Sequence, residues 1–227
     1  MVKFLGINGH YDNQWICFVI ILSTGREKKM LHKLSTKIAQ KLITYSGEEK
    51  EAIYIYGLEL IISTTIGLSS ILLISNMLFE LKSGLIFIAM FVPLRLFTGG
   101  YHAVTYSKCF VVSNCSYLLI LFLKCMMWNK TPLGIWFVLL LIVSYYIATN
   151  APIINPAQPI NEYKQKRSKR IAMYVLAVDV VAILYWAINR KELMCMAVLS
   201  IGLVAVFMLI TDKSIFMKSA KRGVTAL

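Results

Sequence analysis

An all-α, polytopic integral membrane protein is the fold class this sequence predicts, with about six transmembrane helices and an N-terminal amphipathic interfacial helix. Three observations carry that reading. Hydrophobic residues make up 58% of the 227 and charged ones 15%, against about 45–50% and about 25% in a soluble domain. The mean hydropathy is +0.68, with the apolar residues bundled into blocks long enough to span a bilayer. Lys and Arg outnumber Asp and Glu by 24 to 11 and cluster between the blocks. In a membrane protein this marks basic cytoplasmic loops rather than a nucleic-acid surface.

The elements follow in chain order. Residues 15–22 are apolar but too short to span, and no convincing cleavage site follows them. Residues 31–50 form an amphipathic helix. Leu31, Leu34, Ile38, Leu42 and Ile43 recur at helical spacing, and Lys33, Lys37 and Lys41 occupy another face. Such a helix lies on an anionic lipid surface. Spans are expected at 53–75, 84–98, 110–128, 133–150, 171–189 and 193–211. The second falls short of the usual length of about 20 residues unless 77–81 join it. The fifth and sixth are separated only by residues 189–192, a tight helical hairpin. After the fourth span, Pro152, Pro156 and Pro159 stop the helix and turn the chain out of the bilayer. No internal repeat and no separate soluble domain are visible.

Basic residues fix the expected orientation. Arg26, Lys28, Lys29, Lys33, Lys37 and Lys41 precede the spans, Lys164 to Arg170 follow the fourth, and Lys213, Lys218, Lys221 and Arg222 lie in the tail. With six spans all three groups share one side, so both termini and the loop at 98–109 face the cytoplasm. Arg190 and Lys191 are a minor violation.

The chemistry concentrates in that loop. His102 stands seven residues before Cys109, near Arg95, Gly99, Gly100 and Lys108. An imidazole can take a proton from a thiol, and a thiolate is a strong nucleophile for acyl chemistry. On a straight helix the two would share a face, yet their Cα atoms would lie about 10.5 Å apart, beyond hydrogen-bond reach. A catalytic pair therefore requires a break between 99 and 112. The bland alternative is an inert cysteine and an interfacial histidine. Arg95 either snorkels to headgroups or holds a substrate carboxylate and shapes the loop. Gly99 and Gly100 permit positive φ and close backbone approach, and their N–H groups could hold an oxyanion. Lys108 adds positive potential. Cys17, Cys109, Cys115, Cys125 and Cys195 contain no CxxC pair, and His10, His32 and His102 no HExxH pair, so neither a zinc site nor a disulfide framework is expected. Asp179 and Glu59 lie within apolar runs. Burial in the bundle, a transporter's ion site, or a third catalytic member are the readings open to them.

The order Arg95, Gly99-Gly100-x-His102, Cys109 resembles the accessory gene regulator B (AgrB) family. Tyr54 to Leu60 is similar to the family's opening of its first span, and the Pro152–Pro156–Pro159 loop with its basic sequel is similar too. The resemblance runs from about Met30, where Met30-Leu31-His32-Lys33-Leu34 looks like a family start, to the last span. It divides the chain into an extension at 1–29 and a family domain at 30–227.

The resemblance implies a membrane cysteine endopeptidase with His102 and Cys109 as its catalytic pair, and Arg95 and Gly100 as positions needed for activity. The implied partner is an AgrD-like pro-peptide lying on the bacterial cell membrane, cut and cyclised to a quorum-sensing signal. No metal or organic cofactor is implied, and a homodimer is compatible with the reading. The alternative is a small secondary transporter or peptide exporter using Asp179 and Glu59, in which Cys109 is replaceable.

Overall fold

The computed structural model describes residues 35–37, 51–99, 106–153 and 161–224. Of the amphipathic segment only 35–37 are described, and they are helical; the rest of it, with His102, Gly100, Pro156 and Pro159, lies outside the described residues.

Six long helices follow: α1 (Glu51–Met77), α2 (Leu81–Thr98), α3 (Tyr106–Met127), α4 (Leu133–Asn150), α5 (Glu162–Asn189) and α6 (Lys191–Val224). Each contains a stretch long and apolar enough to cross a membrane. The chain divides into two compact units. One holds α1 up to Ser70 and residues 103–114; the other holds residues 71–102 and everything from Cys115 onward.

In the second unit α6 packs on α2, α4 and α5, α2 also packs on α5, and α4 on α5. The sequence of α6 explains its central place. Met194, Cys195, Met196, Ala197, Val198, Ile201, Val204 and Met208 point in every direction around the helix and are all buried, as a helix apolar on all sides requires. The other helices bury one stripe. Phe87, Met90, Phe91 and Leu94 of α2, Trp136, Leu140, Val143 and Ile147 of α4, and Leu176 and Ile183 of α5 join the same core. Their opposite faces carry exposed Leu141, Ile142, Val178, Val181 and Ile188, side chains suited to lipid rather than water.

The boundaries differ from the sequence expectation where polar residues flank an apolar run. Of residues 77–81 only Leu81 joins the second span. Leu78, Phe79 and Glu80 make a tight turn, with Phe79 at φ 56° and the Glu80 N–H donating to Ser75 O at 2.8 Å, so α2 starts at Leu81 and has 18 residues. Gly84 lets this hairpin close: a Cβ there would overlap the Ser75 hydroxyl and lie 2.6 Å from its Cβ. The basic stretch 164–170 is helix, not loop. Asn161 caps α5 by accepting from the Tyr163 N–H at 3.3 Å, and Glu162 in the first turn suits the positive end of the helix. The α5–α6 hairpin is as tight as expected: Arg190 alone connects the two, its N–H donating to Trp186 O at 2.7 Å.

Candidate functional site

The helix break required of a catalytic pair begins at Gly99. α2 ends at Thr98, and Gly99 takes φ 71° and ψ −158°, a conformation that penalises any side chain. There the chain pairs with Ile153, beyond the end of α4, in an isolated bridge. The Ile153 N–H donates to Thr98 O at 3.0 Å, and a Cβ on Gly99 would come 2.8 Å from Ile153 O. Glycine is needed twice here, for its φ and for the approach of a second backbone.

One turn before this exit stands Arg95. Its guanidinium carbon lies 5.5 Å from the centre of the Phe91 ring, four residues earlier on α2, and 4.6 Å from that of Phe207 on α6. The two rings meet edge to face, their centres 5.9 Å apart. These separations make a nearly equilateral triangle, so both rings lie to one side of the cation instead of sandwiching it. Arg95 is half-buried and its Nη1 is buried, which argues against a side chain that merely snorkels to the headgroups.

Cys109 and Lys108 belong to the other unit. The sequence places them at the end of a loop; the structure makes them part of the first turn of α3. Helical hydrogen bonding continues into the polar residues that an apolar-run criterion excludes. Both side chains are exposed, and Cys109 is a free thiol. The turn is held from behind. Ser70 Oγ of α1 donates to Asn114 Oδ1 at 2.8 Å, and Asn114 Nδ2 donates to Phe110 O, next to Cys109, at 2.9 Å. Ser70 and Asn114 are both buried. Of the other cysteines, Cys195 is fully buried, and Cys115 and Cys125 are exposed along the apolar α3. Thus Arg95 and Gly99 stand together at the end of α2, Lys108 and Cys109 stand together at the start of α3, and the distance from His102 to Cys109 lies outside the described residues.

Asp179 is buried, as the sequence led one to expect; among the described residues its Oδ2 has no hydrogen-bond partner. Glu59 is half-buried.

A second polar cluster is absent from the sequence reading. Lys124 of α3 is 1% exposed, with Nζ 2.8 Å from Glu80 Oε2 and 2.5 Å from Glu192 Oε1 of α6. It also lies 3.1 Å from Ser83 Oγ, which itself donates to Glu80 at 2.6 Å. Burial pushes the Glu80 carboxyl up, but hydrogen bonds from Lys124 and Ser83 outweigh it and hold the group below its ordinary 4.5. A signal for the cluster exists. In a bundle of alternating helices the α1–α2 turn, the end of α3 and the start of α6 come to one end, where Glu80 and Glu192 meet the opposite charge of Lys124. No group of three or more His, Cys, Asp or Glu that could hold a metal ion occurs among the described residues.

Compared with known families, the chain matches the model described as Accessory gene regulator B over residues 33–211. That match covers every span and every residue of the loop and helix ends just described. No curated protein and no solved structure matches.

Proposed function

Because the chain belongs to the accessory gene regulator B family, which takes part in autoinducer peptide processing for quorum sensing, we propose that it is a cysteine endopeptidase of the bacterial cell membrane. It removes the C-terminal tail of an AgrD-like pro-peptide and closes the remainder into a ring. The observation that carries this reading is the exposed free thiol of Cys109 in the first turn of α3, seven residues after His102 in the family's order.

His102 takes the Cys109 proton, and the thiolate attacks the peptide carbonyl that follows the signal segment. The C–N bond breaks, His102 protonates the leaving amine, and the tail departs. The signal segment stays as a thioester on Cys109. An internal cysteine of the peptide then attacks that carbonyl and returns the proton to Cys109, leaving a thiolactone. Exchange of one thioester for another is close to thermoneutral, but the first thioester is formed from an amide, which is uphill, so departure of the tail must draw the reaction forward. The exchange succeeds only if water is kept from the acyl-enzyme, which a site beside the bilayer favours. Arg95 holds a substrate carboxylate, and Gly99 and Gly100 shape the backbone around the reacting carbonyl, with Lys108 adding positive potential. Both termini and the site face the cytoplasm, where an amphipathic pro-peptide meets the anionic inner leaflet.

Co-expression with an AgrD-like pro-peptide, followed by mass spectrometry, tests the reading. The wild type should yield free tail and a ring lighter by one water than the linear segment. With Cys109→Ala only the intact pro-peptide should appear. Unchanged processing by Cys109→Ala would refute the mechanism, and export of an uncut peptide independent of Cys109 would support the transporter alternative.

A further inference from the structure

We propose that Phe207, on the last span, is a positioning residue for Arg95, and that together they make the anchor for a carboxylate in the pro-peptide's C-terminal tail. This rests on the processing function proposed above.

A guanidinium on an unbranched stem samples many rotamers, and an anchor that must hold a carboxylate in one place needs that freedom removed. Phe91 and Phe207 remove it. Phe91 is four residues before Arg95 on the same helix and restrains the stem. Phe207 comes from another helix and lies nearer the cation, at 4.6 Å against 5.5 Å. It is itself fixed, packing edge to face on Phe91. Because both rings lie to one side of the cation, they restrict where it can move. A carboxylate approaching the guanidinium then meets donors held in one place.

The test measures KM and kcat for tail release in liposomes, using the pro-peptide of the co-expression experiment. Phe207→Leu keeps an apolar side chain but removes the ring. It should raise KM on the order of threefold to thirtyfold, the range spanned by a lost cation–π contact, with kcat little changed. Phe207→Tyr keeps the ring face and should retain most of the activity. In an Arg95→Gln background Phe207→Leu should add no further rise, because the cation it orients is gone. A pro-peptide whose tail carboxylates are all amidated should bind wild type and Phe207→Leu equally weakly. Three results overturn the inference: an unchanged KM in Phe207→Leu, a loss confined to kcat, or the same loss with and without Arg95. The last would mean that Phe207 acts through packing alone. A wild-type chain that releases no tail overturns the proposed function itself, and this inference with it.

Discussion

At Cys109 the sequence and the structure contribute different things. The residue's identity was legible because Arg95, Gly99-Gly100-x-His102 and Cys109 follow the family's order; Cys17 also has a histidine seven positions upstream, His10, but no arginine and no paired glycines precede it. Its setting was not. That Cys109 starts a helix, and that Asn114 props the turn behind it, depends on Ser70 in another helix. No local pattern announces such a contact. The same holds for Arg95, whose ring from α6 is remote in sequence. Cys109→Ser or Cys109→Ala should abolish tail release. Single Ala replacements at Cys17, Cys115, Cys125 and Cys195 should leave it intact, as gel assays of cleavage in membranes will show. A pro-peptide lacking its internal cysteine should be cut once and remain on Cys109 as an adduct released by hydroxylamine. Adduct on any other residue, or turnover without one, counts against cyclisation through this thiol.

The elements were legible in number and type, less so at their ends. Apolar runs locate the six spans because the bilayer requires them. They fail at Leu81, Tyr106 and Glu162, where the backbone goes on bonding beyond the apolar stretch. The helix-ending turn at Leu78–Glu80 contains neither glycine nor proline to mark it. For α3 the consequence is testable. Asn114→Ala removes the acceptor of Ser70 and the donor to Phe110, leaving buried polar groups unmatched at a cost of about 1–3 kcal/mol. It should lower the melting temperature in detergent, and it should slow alkylation or processing at Cys109 more than Ser70→Ala does, since Asn114 makes both bonds. Equal behaviour of Asn114→Ala and wild type in both assays would remove Asn114 from the support of this turn.

Across the whole molecule, charge is distributed with a logic that composition alone conceals. The net charge of +13 hides a balanced internal contact, the cluster of Lys124, Glu80 and Glu192. Lys124 is almost wholly buried, whereas the side chains of Glu80 and Glu192 are 29% and 44% exposed. The carboxylates can rehydrate and the ammonium cannot. Stripping the cation of both counter-ions with Glu80→Gln and Glu192→Gln should therefore destabilise more than Lys124→Met, approaching the roughly 3–5 kcal/mol seen when a buried pair loses one member. Thermal melts that rank the two the other way would contradict the burial argument. The Glu80 pair also carries a sign in pH. Its folded value lies below the ordinary 4.5, so its contribution is fully present above 4.5 and is lost as pH falls through the lowered value. The gap in melting temperature between wild type and Glu80→Gln should close as pH is lowered, and a gap that widens would refute the assignment. A chain beginning at Met30 should insert and process normally, since the family match starts at residue 33, and His10 and Cys17, although seven residues apart, lack the arginine and paired glycines of the family's order.

The same cluster bears on how the protein is made. A ribosome delivers Glu80 first, then Lys124, and Glu192 only after two more spans have emerged. The lysine is thus made with one counter-charge already present in the turn before α2, and the second follows only with the final hairpin.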